Sequence, residues 1–205
     1  MIKNFAAIAA ATLLATAASA DLMKPTAPVF VRGTIVFADP SLLTVKATDG
    51  TTVAVMLAPG TKVAALSKIG LDAIKPNSFI GTTAKPGKGG VLEATEVHVF
   101  PEAMRGLGEG HYGWDRGPTS TMTNGNVGKV GTIKHHSGRT LTVDYKGGTQ
   151  EVVVPARVPI VAFAEGTAAQ LVSGAHVFLI TMKTPDGKLA ANQVAVGVGG
   201  VVPPM

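Results

Sequence analysis

Apolar and polar residues alternate with a period of two along most of this chain. Leu43, Val45 and Ala47 fall on one face of a short run, and Val53 and Val55 on one face of the next. Period-two runs bounded by Gly, Pro and Asp signal half-buried strands. Strands are predicted over Val31–Ala38, Leu42–Thr48, Thr51–Leu57, Phe79–Ala84 and Val91–Phe100. Asp39-Pro40-Ser41 and Asp49-Gly50 read as the tight turns between the first three. Pro59-Gly60 reads as a strand stop, and Thr61 to Ala73 as a short connecting helix.

The same order then recurs. Gly33-Thr34-Ile35 and Leu43-Thr44-Val45 reappear 98 residues on as Gly131-Thr132-Ile133 and Leu141-Thr142-Val143. Leu92 to Val99 is matched by Leu189 to Val196 at a spacing of 97. The second set of strands is predicted over Val127–Lys134, Thr140–Tyr145, Gln150–Val154, Ala175–Met182 and Lys188–Val196, with a helix or irregular crossing over Ala162–Val172. A repeat of this length is a small domain, not a solenoid unit. Three strands, a connection and two more strands is the element order of an OB-type barrel. The expected fold is therefore mainly β: two tandem five-stranded OB-like β-barrel modules with short connecting helices. The expected boundaries are a leader over 1–20, a lead-in over 21–28, module one over 29–100, an ordered inter-module segment over 101–126, module two over 127–196 and a flexible tail over 197–205.

The repeated Gly-Thr-Ile, Leu-Thr-Val and closing Ala-x-x-Val-x-Val strands resemble a family of exported bacterial OB-like domains of unknown function. The resemblance covers Gly33 to Val99 and Gly131 to Val196 and rests on packing and turn residues. It implies a fold and no catalytic residues. Some close relatives in that family are labelled as metal-transport components, which implies a metal-handling accessory as an alternative role.

The N-terminus fits export. Lys3 precedes the apolar run Phe5–Ala17, and Ala18-Ser19-Ala20 is a small-residue cleavage site, so a signal peptide cut near Ala20 is expected. The expected location is periplasmic, or secreted, with no membrane span after signal removal. Without Lys3, 17 basic residues face 13 acids, a net charge of +4. This mild and scattered excess is not a nucleic-acid footprint. The chain has no cysteine, which excludes thiolate metal sites, thiol nucleophiles and redox dithiols.

Candidate chemistry concentrates between the repeats. The segment 101–126 holds the only Trp and one of two Tyr. Tyr112 and Trp114, flanked by Arg105, Glu109, Asp115 and Arg116, form an expected contact surface, because aromatic and Arg side chains dominate binding interfaces. The competing reading is a structural strap in which Trp114 plugs a barrel end. Glu109, His111 and Asp115, with His135 and His136 in the turn Lys134–Arg139, form an alternative divalent-metal set. The same basic turn is a third candidate as a barrel-edge ligand site, although the strand face beside it offers only Tyr145 for stacking. No nucleophile elbow, acid/base pair or cofactor fingerprint occurs in the sequence. The expected function is a non-enzymatic binding or scaffold protein, without cofactor, whose partner is an envelope protein or a small ligand.

Overall fold

The computed structural model describes residues 27–132 and 138–205. The expected leader, with His135 and His136, lies outside the described residues. The rest is strand and turn. The twelve strands are β1 (Val29–Ala38), β2 (Leu42–Ala47), β3 (Thr52–Lys68), β4 (Phe79–Pro86), β5 (Leu92–Val99), β6 (Gly110–Gly113), β7 (Thr121–Thr132), β8 (Gly138–Tyr145), β9 (Gly148–Pro155), β10 (Ile160–Glu165), β11 (His176–Lys183) and β12 (Leu189–Gly197).

The expected connecting helices shrink to single 3-10 turns of three residues, among them Leu71–Ala73 and Ala168–Gln170. Most of the expected helix over 61–73 is strand instead. Pro59-Gly60 does not end β3. It bulges it, so that Leu57 pairs with Ala191 and Lys62 already pairs with Gln193. Beyond the bulge, β12 runs parallel to one edge and β10 antiparallel to the other. Ala64-Ala65-Leu66 would suit a helix on propensity alone. Backbone pairing on both edges and burial of all three residues override that preference.

Five strands close into a barrel in the order β1–β2–β3–β12–β11 and back to β1, with the β3–β12 contact parallel and the rest antiparallel. Val31, Ile35, Leu43, Val45, Val55, Val177, Leu179 and Val194 fill it. A second circuit of pairings runs β7–β8–β9–β5–β4 and back to β7, closed by a short parallel β5–β9 contact. It surrounds a separate core of Ile80, Val97, Val127, Leu141, Val143, Val152 and Val154.

This connectivity corrects the expected tandem. Neither circuit is built from consecutive strands. The last two strands of each half, β4 and β5 or β11 and β12, close the circuit begun by the other half. Leu92–Val99 and Leu189–Val196 share Leu, Ala, Val and Val at matching positions, yet each closes the circuit begun by the other half. The long β3 and the β9–β10 pair are equivalent under the 98-residue spacing. The second half of β3 pairs antiparallel with β10, Leu66 opposite Phe163 and Ala65 opposite Ala164. That pairing, continued by β10 alongside β5, ties the two circuits into one sheet.

The expected inter-module segment is ordered. Its first part holds a 3-10 turn at Glu102–Met104, its middle forms β6, and its end is already β7, which pairs with β4 from Thr121 to Asn126. The tail, expected to be flexible, makes contacts with the rest of the chain. Val198 N–H donates to Leu66 C=O, and Met205 is buried in a third cluster with Leu66, Met122, Val161, Phe178 and Ala195. No helix among the described residues is long and apolar enough to cross a membrane.

Candidate functional site

Strand β5 sets the chemistry of the region between the two circuits. Its alternation puts Leu92, Ala94, Glu96 and His98 on one face of an unbroken strand. The pairing with β4 breaks that pattern, because Thr83 lies opposite Glu96 and Ala84 opposite Ala94, leaving Thr95 as an extra residue. A bulge of this kind turns the following side chains to the other face. Val97 therefore joins the core of the second circuit with Leu92 and Ala94, and Glu96 and His98 are aimed out of it.

Both are nearly inaccessible to solvent: Glu96 is 1% exposed and His98 3%. The Glu96 carboxylate is fully engaged. Its Oε1 accepts from the Thr83 backbone N–H at 2.8 Å and from the Thr83 hydroxyl at 2.7 Å. Its Oε2 lies 3.1 Å from His98 Nδ1. An imidazole carrying its proton on Nδ1 would give the carboxylate a third donor. The ring is held edge-on to Phe100 at 4.8 Å and to Phe163 at 5.4 Å, and those two phenyl rings stack on each other at 5.1 Å.

His98 and Phe100 wall a cavity of about 380 Å3. Phe163 enters from β10, Phe178, Ile180 and Met182 from β11, and Asn192, Gln193 and Ala195 from β12. Leu107, Gly108, Tyr112 and Trp114 come from the inter-module segment, Met122 and Asn124 from β7, and Met205 from the tail. Both halves of the chain and both expected non-barrel segments thus contribute. The lining is predominantly aromatic and apolar, the usual character of a small-molecule site.

The expected contact residues divide here. Tyr112 and Trp114 do form part of the wall. Trp114 packs 4.7 Å from Phe30 and 6.4 Å from Phe178, so it also straps the segment onto β1 and β11. Partial burial raises the Tyr112 phenol above its ordinary pKa. The charged neighbours hold structure. Arg105 is committed to Glu102 at 2.6 Å, to Asn126 and to the Asn77 carbonyl. The Arg105 guanidinium in turn holds the Glu102 carboxyl below its usual range. Asp115 takes a two-pronged bond from Arg32 at 2.6 and 2.7 Å. Arg116 reaches the Pro204 carbonyl only at 3.5 Å.

The expected metal ligands are not brought together among the described residues, where no group of three or more His, Asp or Glu side chains could hold an ion. Glu109 accepts from the Lys146 backbone N–H at 2.9 Å. His111 pairs through Nδ1 with the Thr123 hydroxyl at 2.8 Å. Each carboxylate and the imidazole is thus spent on a different neighbour.

Sequence reasoning misses Glu96, His98, Phe100, Asn124 and Phe163. One signal was available: Glu96 and His98 place polar groups on the face that Leu92 and Ala94 begin as apolar. Asn124 carried none. Its carboxamide N–H groups face the carbonyls of Gly108 at 3.0 Å and Leu107 at 3.4 Å and the Tyr112 hydroxyl at 3.2 Å. These acceptors fix which way the amide points. Its Oδ1, turned away from them, is buried without a hydrogen-bond partner, as is Trp114 Nε1.

Arg32 pins this wall from behind. Besides gripping Asp115, its Nε donates to the Met205 carbonyl at 2.6 Å, and its guanidinium lies 4.8 Å from the Phe178 ring centre. Replacing Arg32 by Ala removes the two-pronged pair and the tail anchor together. A loss of about 2 kcal/mol is expected, the scale of charge-assisted bonds in a partly buried setting. Limited proteolysis should then cut within 198–205 well before it does in the wild type. Unchanged cleavage kinetics would show that Arg32 does not hold the tail.

Compared with known proteins, the chain matches no family model, no curated protein and no solved structure.

Proposed function

We propose that this is a non-enzymatic binding protein of the cell envelope, built from two OB-like barrels with exchanged strands, that takes a small, largely apolar ligand in the cavity between them. The observation that carries this reading is the aromatic cavity itself. Its volume of about 380 Å3 lies within the usual range for ligand sites. A dry cavity of roughly 150 Å3 already accepts benzene. The circuit order of the first barrel, with its first, second, third, fifth and fourth strands in sequence and the third–fifth contact parallel, supports the OB-like assignment.

Binding is favoured over turnover by what lines the wall. Its polar side chains are His98, Tyr112, Asn124, Asn192 and Gln193, with no Ser, Thr, Lys, Asp or Glu among the lining residues. A nucleophile and an acid/base partner facing one reacting atom are what a catalytic reading requires. The contact surface expected on the inter-module segment becomes, in this proposal, the inner face of Tyr112 and Trp114, and the ligand is a small molecule in place of an envelope protein.

Trp114 is the only tryptophan, so it reports on the cavity directly. Titration with 1-anilinonaphthalene-8-sulfonate should change Trp114 emission in a saturable, one-site manner and raise the melting temperature. In a Phe163→Trp variant, which narrows the cavity, the rise in melting temperature should be lost while the fold is retained. A wild-type protein whose Trp114 emission and melting temperature are unmoved would overturn the proposal.

A further inference from the structure

A second groove, of about 650 Å3, adjoins the aromatic cavity, and Leu107 and Gln193 line both. The strand register orders the floor they share. On β12, Gln193 lies opposite Lys62 of β3 and Ala195 opposite Ala64. On the other edge of β12, Ala195 lies opposite Phe178 of β11. Glu165 of β10 lies opposite Ala64. Residues two apart share a face of a strand, so Lys62 and Glu165 are diagonal neighbours, about 7–8 Å apart in an antiparallel pair. Crossing the floor from β11 to β10, the side chains therefore run from Phe178 and Ala195, past Gln193, to Lys62 and then Glu165. No Lys, Arg, Asp or Glu lines the aromatic cavity, whereas Lys62, Arg105 and Glu165 line the groove. The Arg105 guanidinium is taken by Glu102. Lys62 and Glu165 are exposed, and among the described residues neither makes an ion pair.

We infer that the ligand is a single-chain amphiphile with a zwitterionic head. Its apolar chain lies in the aromatic cavity, and its head crosses Gln193 into the groove, with the anionic group at Lys62 and the cationic group beyond it at Glu165. The inference rests on the proposed binding role and names the class of ligand. Met122, Met182 and Met205 line the cavity, and such unbranched, adaptable side chains suit a flexible chain. A head with negative charge alone would meet repulsion from Glu165, and one with positive charge alone repulsion from Lys62. A zwitterion whose anion is nearer the chain matches both charges in the order in which the floor presents them.

The test compares decylphosphocholine with decyl sulfate, each kept monomeric, which share a chain and an anionic group and differ in the cation. Their chains gain equally from leaving water. Calorimetric titration of the full chain should show decylphosphocholine binding about threefold to fivefold tighter at low salt, the scale of one exposed ion pair. Trp114 emission should change with the same saturation, because the chain reaches the cavity that Trp114 lines. Lys62→Ala should weaken decylphosphocholine by a similar factor, and Glu165→Gln should abolish its preference over decyl sulfate. The wild-type comparison needs no variant, so a misfolded variant does not rescue the proposal. Equal binding of the two, tighter binding of decyl sulfate, or binding unmoved by Lys62→Ala overturns the zwitterionic head and leaves the apolar cavity standing as a binding site. Binding that leaves Trp114 emission unchanged overturns the placement of the chain. Binding of neither amphiphile overturns this inference, and the cavity reading is then decided by the 1-anilinonaphthalene-8-sulfonate titration.

Discussion

Replacing Glu96 by Ala is expected to destabilise the protein by about 3–5 kcal/mol, the cost of breaking a buried charged network from one side. Glu96 is one of the largest fully buried side chains, and three donors depend on it. Without the carboxylate, the Thr83 backbone N–H, the Thr83 hydroxyl and the His98 Nδ1–H all lose their acceptor in a place water does not reach. Each unsatisfied buried donor costs about 1–3 kcal/mol. The Glu96→Gln variant separates charge from hydrogen bonding. Its carboxamide oxygen can still accept from Thr83, but its N–H2 then faces His98, which must present a lone pair on Nδ1 and carry its proton on Nε2. A loss of only about 1 kcal/mol is expected for Gln. Nitrogen-15 NMR of His98 should show a change in which ring nitrogen carries the proton. Urea unfolding of the two variants reads the stabilities. An Ala variant as stable as the wild type would show that Glu96 is not the organiser of this wall.

The same residues show where sequence is readable and where it is not. Leu43, Val45, Val53 and Val55 were assigned to one-sided strands by alternation, and all but the partly buried Val53 are fully buried in the barrel. That inference works because strand parity is local. Glu96 and His98 were missed because one extra residue, Thr95, inverts parity beyond it. Nothing in Ala94-Thr95-Glu96 marks a bulge. Ala64-Ala65-Leu66 looked helical because local propensity omits what flanks the segment, and here strands flank it on both edges. The exchange of β4 and β5 with β11 and β12 was unreadable for a different reason. The repeat shows which strands resemble one another and carries no information on which half each closing pair joins. Tyr112 and Trp114 were found because aromatic residues in a long connection stand out. Asn124 was not, because its role comes from Gly81, His98 and Gly108 meeting around it, from three different strands and turns.

Replacing Gly33 by Ala should cost about 3 kcal/mol or more, the upper end of overpacking penalties, whereas Gly131 to Ala should be neutral or slightly stabilising. The two glycines hold the same place in the repeat, as the first residue of Gly-Thr-Ile. Their surroundings differ. A Cβ at Gly33 would lie 2.1 Å from the Lys46 carbonyl oxygen and 2.8 Å from the Ala47 Cα. Those are backbone atoms, so relief requires β1 and β2 to separate. β1 is also paired on its other edge, Gly33 lying opposite Val177, so it has nowhere to retreat. At Gly131 the nearest atoms to an added Cβ are the Thr140 carbonyl oxygen at 3.7 Å and its Cβ at 3.8 Å, ordinary contacts. There β7 pairs only with β8, because its pairing with β4 ends at Asn126. Ala at 131 therefore meets no clash, and a glycine removed from a strand interior lowers the entropy lost on folding. Guanidinium unfolding of the two single variants measures the contrast. Equal midpoints would mean that the close approach of β1 to β2 at Gly33 is not what the first half of the repeat requires its glycine for. A large asymmetry would show that one repeated motif has come to serve a packing constraint in one circuit and only a sequence echo in the other.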